Sequence, residues 1–301
     1  MRLRTTDAIK RAEIPRSSFR TVDALLEATN RRLAALTEAE ARQLWPVIED
    51  ALRGVTEKLA RTPDATWTAY QAQTYRLQLH RMREGLAKRL NEKLTETTRT
   101  MQGNAVTEMR NEVAALSLHF GQPRTLDIDT ALVVGDTSKL LVSRLKRASE
   151  RRANEAISDA SRVLAYSTAE GRRAIALARG LSTATVQGLS FRDTAKLLRE
   201  RMGVQETNTE RLARTELVWA HNLQRFEVAD SEGYWLLWNA ATYRACDICR
   251  ALDGKTSRPG PSITDGGTGL PGKSFPGGVM HPPSHPNCRC AAVLWRPEWK
   301  D

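Results

Sequence analysis

The chain has 301 residues, and 41% of them are hydrophobic, which is sufficient for normal cores in two or three domains. Its formal net charge is +11 at pH 7. Because no run of 18 apolar residues occurs, the sequence excludes a membrane-spanning helix. The charge is uneven, since residues 1–200 hold 34 Lys+Arg against 24 Asp+Glu, whereas residues 201–301 hold 12 against 11. Such a positive surface favours a polyanionic neighbour, although interspersed acidic residues indicate that most of these charges lie on solvated helix faces.

The first part of the chain predicts a basic arm followed by helices. Residues 1–20 are basic and contain no apolar run. Helical periodicity starts at Thr21, and the capping-box spacing of Thr37-Glu-Ala-Glu40 predicts a new helix there, with Pro46 kinking its first turns. The apolar stripe of this second helix consists of Leu44, Ile48, Leu52, Val55 and Leu59.

Helical patterns continue through the middle of the chain. Further helices are predicted over residues 64–94, 105–120, 137–179, 190–203 and 209–233, with a linker over residues 125–136. Ser190 has the type and position of an N-cap residue. The fold class expected is mainly α, with an elongated helical N-terminal region followed by a small α+β C-terminal domain. The expected segments are a basic arm (1–20), a helical region (21–124), a linker with a charged helix (125–179) and the C-terminal domain (180–301).

All four cysteines lie in one C-terminal stretch. They occur as Cys246-Asp-Ile-Cys249 and as His285-Pro-Asn-Cys288-Arg-Cys290. A thiolate pair at this spacing can present both sulfurs to one tetrahedral ion at about 2.3 Å, and a second Cys/His segment completes four ligands. We therefore predict a structural zinc site in which Cys246 and Cys249 are two of the four ligands. The other two ligands come from His285, Cys288 and Cys290, and reduced thiols without an ion, or disulfides, are the alternatives.

The surroundings of the cysteines predict a small sheet without a core of its own. Residues 234–238 and 291–295 are apolar and aromatic enough to form short strands. Few apolar residues lie between them, so we expect metal binding to supply much of the stability of residues 234–295, which we call the zinc module. His281 is expected to be an exposed loop histidine. Because four protein ligands leave no open coordination position, the site is predicted to be a folding element and not a catalyst.

One motif imitates a phosphate-binding loop. Gly267-Thr-Gly-Leu-Pro-Gly272-Lys273-Ser274 fits the pattern G-x-x-x-x-G-K-[ST]. That pattern requires a strand before it and a helix after it, but proline and glycine occupy both flanks. We interpret this stretch as a Gly/Pro-rich loop.

Four separate motifs resemble the phage Mu protein F family of head morphogenesis (minor head) proteins. The first two are Gly188-Leu-Ser-Phe, followed by Ala-Lys-Leu-Leu, and the helical segment Leu212-Ala-Arg214-Thr215-Glu216. The other two are Trp238 ahead of Cys246-Asp-Ile-Cys249-Arg-Ala-Leu-Asp253-Gly254, and the closing Pro282-Pro283-Ser-His285-Pro-Asn-Cys288-Arg289-Cys290. The resemblance covers about residues 180–295, and a long insertion after Gly254 is its main departure from the family pattern.

The resemblance implies a structural minor head protein of a tailed bacteriophage, without enzymatic activity, acting in head morphogenesis at or near the portal. The implied partners are the portal protein and a major capsid or scaffold protein. Contact with packaged double-stranded DNA, and ejection with the genome, remain open. The implied location is the capsid interior near the portal vertex, with the host cytoplasm as the site of assembly.

The family motif marks Arg214, Thr215 and Glu216 without giving them a role. We hypothesise that Arg214 pairs with Asp253, or with a backbone carbonyl of the zinc module, and so holds helix and module together; an exposed pair is the alternative. Two other functional classes are alternatives. A zinc-dependent nuclease of the His-Asn-His type would use His285 and Asn287 with open coordination positions. A zinc-containing DNA-binding protein would need a recognition helix after the cysteines, where Pro297 follows a short apolar segment instead.

Overall fold

The computed structural model describes residues 16–62, 68–122, 125–126, 139–169, 171–173, 189–241, 245–259 and 279–299. Its helices are α1 (Arg16–Arg42), α2 (Trp45–Arg61), α3 (Ala69–His119), α4 (Lys139–Ser167), α5 (Phe191–Glu232) and α6 (Asp247–Leu252). Its strands are β1 (Trp235–Asn239), β2 (Thr256–Ser257) and β3 (Ala291–Trp295), and a 3-10 turn follows at Pro297–Trp299. This helical chain with a small C-terminal sheet confirms the predicted fold class. Among the described residues, no helix combines the length and the apolarity needed to cross a membrane.

Two predictions near the N-terminus are wrong, a helix start at Thr37 and a kink at Pro46. Helix α1 continues through Thr37, whose hydroxyl donates to the carbonyls of Leu33 and Ala34 (2.8 and 3.0 Å) and so does not cap a new helix. The next helix starts at Trp45, and Pro46 occupies its first turn, where the missing N–H costs no helical hydrogen bond. Pro46 therefore starts α2 and does not kink it. All five residues of the predicted apolar stripe of α2 are buried, as expected.

Two pairs of predicted helices are each a single long helix. Helix α3 runs for 51 residues through Gly85 and Gly103, and α5 runs for 42 residues through Gly203. A glycine inside a helix costs only about 1 kcal/mol relative to alanine, so packing of the flanking turns overrides it. The predicted N-cap at Ser190 is confirmed, because its hydroxyl accepts the backbone N–H of Asp193 at 3.1 Å.

The end of α5 directs the chain into the sheet. Gly233 has φ 68°, and the backbone N–H of Tyr234 bonds to the carbonyl of Ala229 (2.9 Å), which closes the helix with a left-handed residue. Strand β1 then pairs antiparallel with both neighbours in the order β2-β1-β3, with Leu237 opposite Val293. Both strands predicted from the sequence are confirmed to within one residue.

The chain forms two compact units. The first comprises residues 1–40, 96–141 and 211–301, and the second comprises residues 41–95 and 142–210. The predicted basic arm lies mostly outside the described residues, as do most of the predicted linker and the whole loop 267–274. The four consecutive segments expected from the sequence stay a prediction about domain organisation.

The core of the first unit joins the sheet to three helices. Buried members include Val22 of α1, Val113 of α3, Val228 of α5, and Trp238 and Leu294 of the sheet. The cysteines at 249, 288 and 290 belong to the same cluster. The zinc module therefore shares a core with the helices of this unit, so metal binding is not its sole source of stability.

The core of the second unit is formed by helical segments alone. It contains Ile48 and Leu52 of α2, Leu86 of α3, Ile157 of α4 and Leu198 of α5. Arg152 is fully buried in this unit and donates from Nε to the Thr209 hydroxyl (3.0 Å) and from Nη2 to the Gln205 carbonyl (2.9 Å). These bonds tie α4 to α5.

Candidate metal centre

The first cysteine pair sits at the start of a short helix. Cys246 is the N-cap residue of α6, and its carbonyl accepts the backbone N–H of Arg250 at 2.9 Å. Cys249 lies one turn further on and is buried. Because residues three apart share one side of a helical turn, both sulfurs point towards the same space.

A tight turn presents the second pair of donors. The backbone N–H of Cys288 donates to the carbonyl of His285 (3.2 Å), with Pro286 and Asn287 between them. Asn287 has φ 64°. Proline at the second position and a left-handed residue at the third define a type II turn, and asparagine tolerates that conformation better than most residues. The sequence His-Pro-Asn-Cys therefore folds so that both of its ends project from one turn.

The donor atoms of the two segments converge. His285 Nε2 lies 3.1 Å from both Cys246 Sγ and Cys249 Sγ, and Cys249 Sγ lies 3.7 Å from Cys288 Sγ. Two sulfurs bound tetrahedrally at about 2.3 Å from one zinc ion would lie about 3.8 Å apart. The sulfur separation therefore fits a shared zinc ion.

All five predicted ligands contribute to this arrangement, which we call the Cys/His cluster. It consists of two overlapping triads whose donor atoms lie within 4.8 Å of one another: Cys246, Cys249 and His285, and Cys249, Cys288 and Cys290. Cys249 belongs to both triads. Cys288 and Cys290 are both buried, and their sulfurs lie within 4.8 Å of the Cys249 sulfur.

The protonation of the buried sulfurs also suits a cation. Hydrogen bonds with the Cys249 and Cys290 thiols hold the pKa of Cys288 well below its usual range, helped by the backbone N–H groups of Cys290 and Ser284. The hydrogen bond with Cys288 raises the pKa of Cys249. Cys288 is therefore the thiol that ionises more readily than Cys249, and a divalent cation would favour the ionised form of its cysteine ligands.

Arg214 and Thr215 of α5 contact the turn formed by residues 285–288. Arg214 Nη1 donates to Asn287 Oδ1 at 3.2 Å, and the Asn287 backbone N–H donates to Thr215 Oγ1 at 3.2 Å. Arg214 thus bonds to a side chain of the turn, whereas Asp253, one of the two partners proposed for it, accepts the backbone N–H of Ala240 (2.9 Å). The other proposed partner, a backbone carbonyl of residues 234–295, stays a prediction. Glu216 is buried on another side of the helix.

Trp238, Asp253 and Gly254 fasten α6 to the sheet. Asp253 Oδ1 accepts the backbone N–H of Ala240 (2.9 Å), and the Gly254 N–H donates to the Trp238 carbonyl (2.9 Å). Gly254 has φ 73°, a backbone conformation that an L side chain would strain. Trp238 is fully buried in the middle of β1. These residues position the helix that carries Cys246 and Cys249.

The prediction for His281 is wrong. Its side chain is only 4% exposed and packs against Trp219 and Phe226 of α5, with ring centroids 5.7 and 5.9 Å away. His281 belongs to neither of the two donor triads. The Gly/Pro-rich sequence around His281 indicated an exposed loop, but contact with the aromatic side chains of α5 buries this histidine.

A second group of polar residues was missed by the sequence analysis. Arg225 of α5 is fully buried and donates to Glu112 Oε2 (2.6 Å), Glu108 Oε2 (3.0 Å) and the carbonyl of Ala292 (2.9 Å). His221 Nε2 lies 3.0 Å from Glu108 Oε2. We call Glu108, Glu112, His221 and Arg225 the buried charge cluster. The available signal was the four-residue spacing of each pair on otherwise apolar faces of α3 and α5.

Burial and charge act in opposite directions in this cluster. Burial lowers the pKa of His221, and the Arg225 charge adds to that effect against the opposing influence of Glu108. Burial raises the pKa of Glu108, but hydrogen bonds and charges from His221 and Arg225 outweigh it, so that this pKa lies below its usual range. The cluster therefore favours an ionised Glu108 beside a neutral His221 near neutral pH.

Two asparagine side chains hydrogen-bond to the backbone at the start of β3. Asn222 accepts the backbone N–H of Ala292 (2.7 Å) and donates to the Cys290 carbonyl (3.2 Å). Asn30 of α1 accepts the N–H of Ala291 (3.1 Å) and donates to the Ala240 carbonyl (3.0 Å). An edge strand left unpaired is prone to pair with another chain, and Asn222 occupies part of the edge of β3 that faces away from β1. Asn30 instead joins the start of β3 to the residue that follows β1.

Comparison with known proteins identifies one related family. Residues 175–293 match the family model described as Phage Mu protein F like protein. The matched segment contains Arg214, Thr215 and the whole Cys/His cluster, and it confirms the resemblance found in the sequence. No curated protein and no solved structure gives a significant match to the chain.

Proposed function

Since residues 175–293 are Phage Mu protein F like, a family of phage head proteins, we propose that the chain is a structural minor head protein of a tailed bacteriophage. The family match is the observation that carries this proposal. In this role the chain acts in head morphogenesis inside the capsid, at or near the portal vertex, after synthesis in the host cytoplasm. Its partners are the portal protein and the major capsid or scaffold protein.

The Cys/His cluster would hold one structural zinc ion in this protein. Cys246, Cys249, His285 and Cys288 form the proposed ligand set, because contacts of 3.1, 3.1 and 3.7 Å join these four residues. Cys290 then lies beside the site. Cys288→Ser is expected to abolish stoichiometric zinc binding, whereas Cys290→Ser retains it; the reverse result would exchange the two roles.

A structural ion agrees with a role that is not enzymatic. Four protein ligands would close the coordination sphere and leave no position for a substrate. The His-Asn-His nuclease alternative receives no support from Asn287, whose side chain accepts a hydrogen bond from Arg214. A nuclease assay with purified protein, linear double-stranded DNA and added Mg²⁺ or Zn²⁺ is expected to give no cleavage.

The distribution of charge supports contact between the second unit and DNA. Residues 41–95 and 142–210 hold 23 Lys+Arg against 14 Asp+Glu, which is +9 of the net charge of +11. Exposed cations occur on both α3 and α4 of this unit, among them Arg83, Lys88, Lys146 and Arg147. Such a surface attracts a phosphate backbone through release of counterions, without regard to base sequence.

Charge removal in one unit at a time tests the DNA contact. One variant replaces Arg83, Lys88, Lys146 and Arg147 with Ser, and a matched control replaces the exposed Arg31, Arg32, Arg99 and Arg211 of the first unit. Fluorescence anisotropy with random double-stranded DNA over a salt series should show weaker binding and a shallower salt dependence for the first variant. Equal losses in both variants would place the contact elsewhere.

Two measurements test the head-protein role. Mass spectrometry of purified proheads and virions of the phage that encodes the chain is expected to find the chain at a constant, low ratio to the portal protein. Co-expression with that portal protein should give a complex that survives size-exclusion chromatography. Absence from both particles would refute the proposal, and presence without portal binding would refute the portal contact alone.

A further inference from the structure

Thr215 has a hydroxyl group whose direction is fixed by two partners. Its proton is donated to the Arg211 carbonyl one turn earlier in α5 (2.8 Å), so a lone pair remains for the Asn287 backbone N–H at 3.2 Å. Arg214 holds the side chain of the same asparagine. Thr215 and Arg214, which are adjacent in α5, therefore hydrogen-bond to the backbone and to the side chain of Asn287, respectively.

The Asn287 N–H that bonds to Thr215 belongs to the central peptide of the type II turn. Type I and type II turns differ mainly in the direction of that peptide, which joins the second and third residues, here Pro286 and Asn287. The hydrogen bond to Thr215 favours one of these two directions. The positive φ of Asn287 is the backbone conformation that this direction requires.

The other end of the same peptide contacts the imidazole. His285 Nδ1 lies 2.8 Å from the Pro286 carbonyl oxygen, so Nδ1 carries the proton and donates it to that carbonyl. Nε2 then has the free lone pair, and it is Nε2 that lies 3.1 Å from the sulfurs of Cys246 and Cys249. A backbone carbonyl that holds the second ring nitrogen is a common way to orient a metal-binding histidine.

We infer that Thr215, assisted by Arg214, is a positioning residue for the metal site: it sets the direction of the Pro286–Asn287 peptide, whose carbonyl keeps His285 in the Nδ1-protonated form. This inference deepens the proposed zinc site and rests on it. It gives a role to two residues of the Arg-Thr-Glu motif that touch none of the donor atoms. The bonds involved are partly exposed, so they contribute little to global stability and act mainly on the site.

The test compares Thr215→Val, which has a similar shape but no hydroxyl, with Thr215→Ser, which restores it. The matched control is Thr207→Val, because Thr207 is exposed on the same helix and its hydroxyl also bonds one turn back, to the Gly203 carbonyl. Zinc affinity is measured on the full chain by competition with a chromophoric chelator. Nitrogen NMR of ¹⁵N-histidine-labelled protein reports the protonated ring nitrogen of His285, with and without zinc.

Thr215→Val should weaken zinc binding about 10- to 100-fold, as is typical for groups that orient a metal ligand, and should shift His285 away from the Nδ1-protonated form. Thr215→Ser should restore both properties, and Thr207→Val should change neither. The melting temperature without zinc should be the same in all three variants. Arg214→Gln should weaken zinc binding less than Thr215→Val.

Each contrary result has a distinct meaning. If the wild-type chain binds zinc and Thr215→Val binds it equally well, the positioning role is refuted while the zinc site stands. If Thr215→Val lowers the zinc-free melting temperature and leaves the His285 ring unchanged, Thr215 supports the fold and not the ligand. If the wild-type chain binds no zinc, the proposed zinc site fails, and the positioning role with it.

Discussion

Replacing Arg225 with Met tests the buried charge cluster. The change removes a fully buried guanidinium that bonds to Glu112 at 2.6 Å, to Glu108 at 3.0 Å and to the Ala292 carbonyl at 2.9 Å. The side chains of Glu108 and Glu112 are only 10% and 4% exposed, so water cannot replace the lost partner. Removing one partner of a buried ion pair costs about 3–5 kcal/mol. The loss would be a large part of the roughly 5–15 kcal/mol by which domains are stable.

Urea unfolding followed by tryptophan fluorescence measures this loss in the appropriate part of the chain. Trp235, Trp238, Trp295 and Trp299 all lie in the first unit, so the signal reports mainly its unfolding. The control is Arg211→Met on the exposed side of the same helix, with an expected change within about 0.5 kcal/mol. Should Arg225→Met prevent folding, Arg225→Lys keeps the charge but loses the fork-shaped contact, and a partial loss is expected.

A double variant separates the effect of charge from the effect of packing. Adding Glu112→Gln to Arg225→Met removes the charge of one of the two carboxylates that lose their guanidinium partner, so the double variant should be more stable than Arg225→Met alone. A loss below about 1 kcal/mol for Arg225→Met, or a double variant that is less stable than the single one, would refute the view that paired charges hold these helices.

Three further predictions concern other parts of the molecule. Purified chain should contain about one zinc ion, and a strong chelator should lower its melting temperature without unfolding it at 25 °C, because the sheet shares a core with helices; complete unfolding by the chelator would contradict this. Stability should fall as pH drops below about 6.5, because the folded pKa of His221 lies below that of the unfolded chain and protons therefore bind more readily after unfolding; Glu108 should add to the loss below about 4.5. His221→Gln should flatten the upper part of this pH profile, and an unchanged profile would argue against it. Arg152→Leu should destabilise the second unit by about 2–4 kcal/mol through loss of its buried bonds, whereas Arg162→Leu, which removes an exposed cation, should change stability by about 1 kcal/mol at most in urea unfolding followed by circular dichroism.

Short-range chemistry made several features predictable. The spacing of Cys246 and Cys249 and the His-Pro-Asn-Cys turn are local patterns, so the donors could be named before their positions were known. The N-cap at Ser190 and the apolar strands β1 and β3 also depend on neighbouring residues only. Local signals failed where packing overrode them, at Thr37 inside α1 and at the glycines inside α3 and α5.

By itself, the sequence determined a helical chain, a resemblance to one family over residues 175–293 and five candidate metal donors, because helix periodicity and ligand spacing depend on residues a few positions apart. Only the tertiary structure decided which distant residues meet. It brought α1 and α3 against the sheet, buried Arg225 between two glutamates and turned Thr215 towards the turn that carries His285. Contacts between residues 72 to 117 positions apart depend on the way in which long helices pack together, and no local sequence pattern encodes this packing.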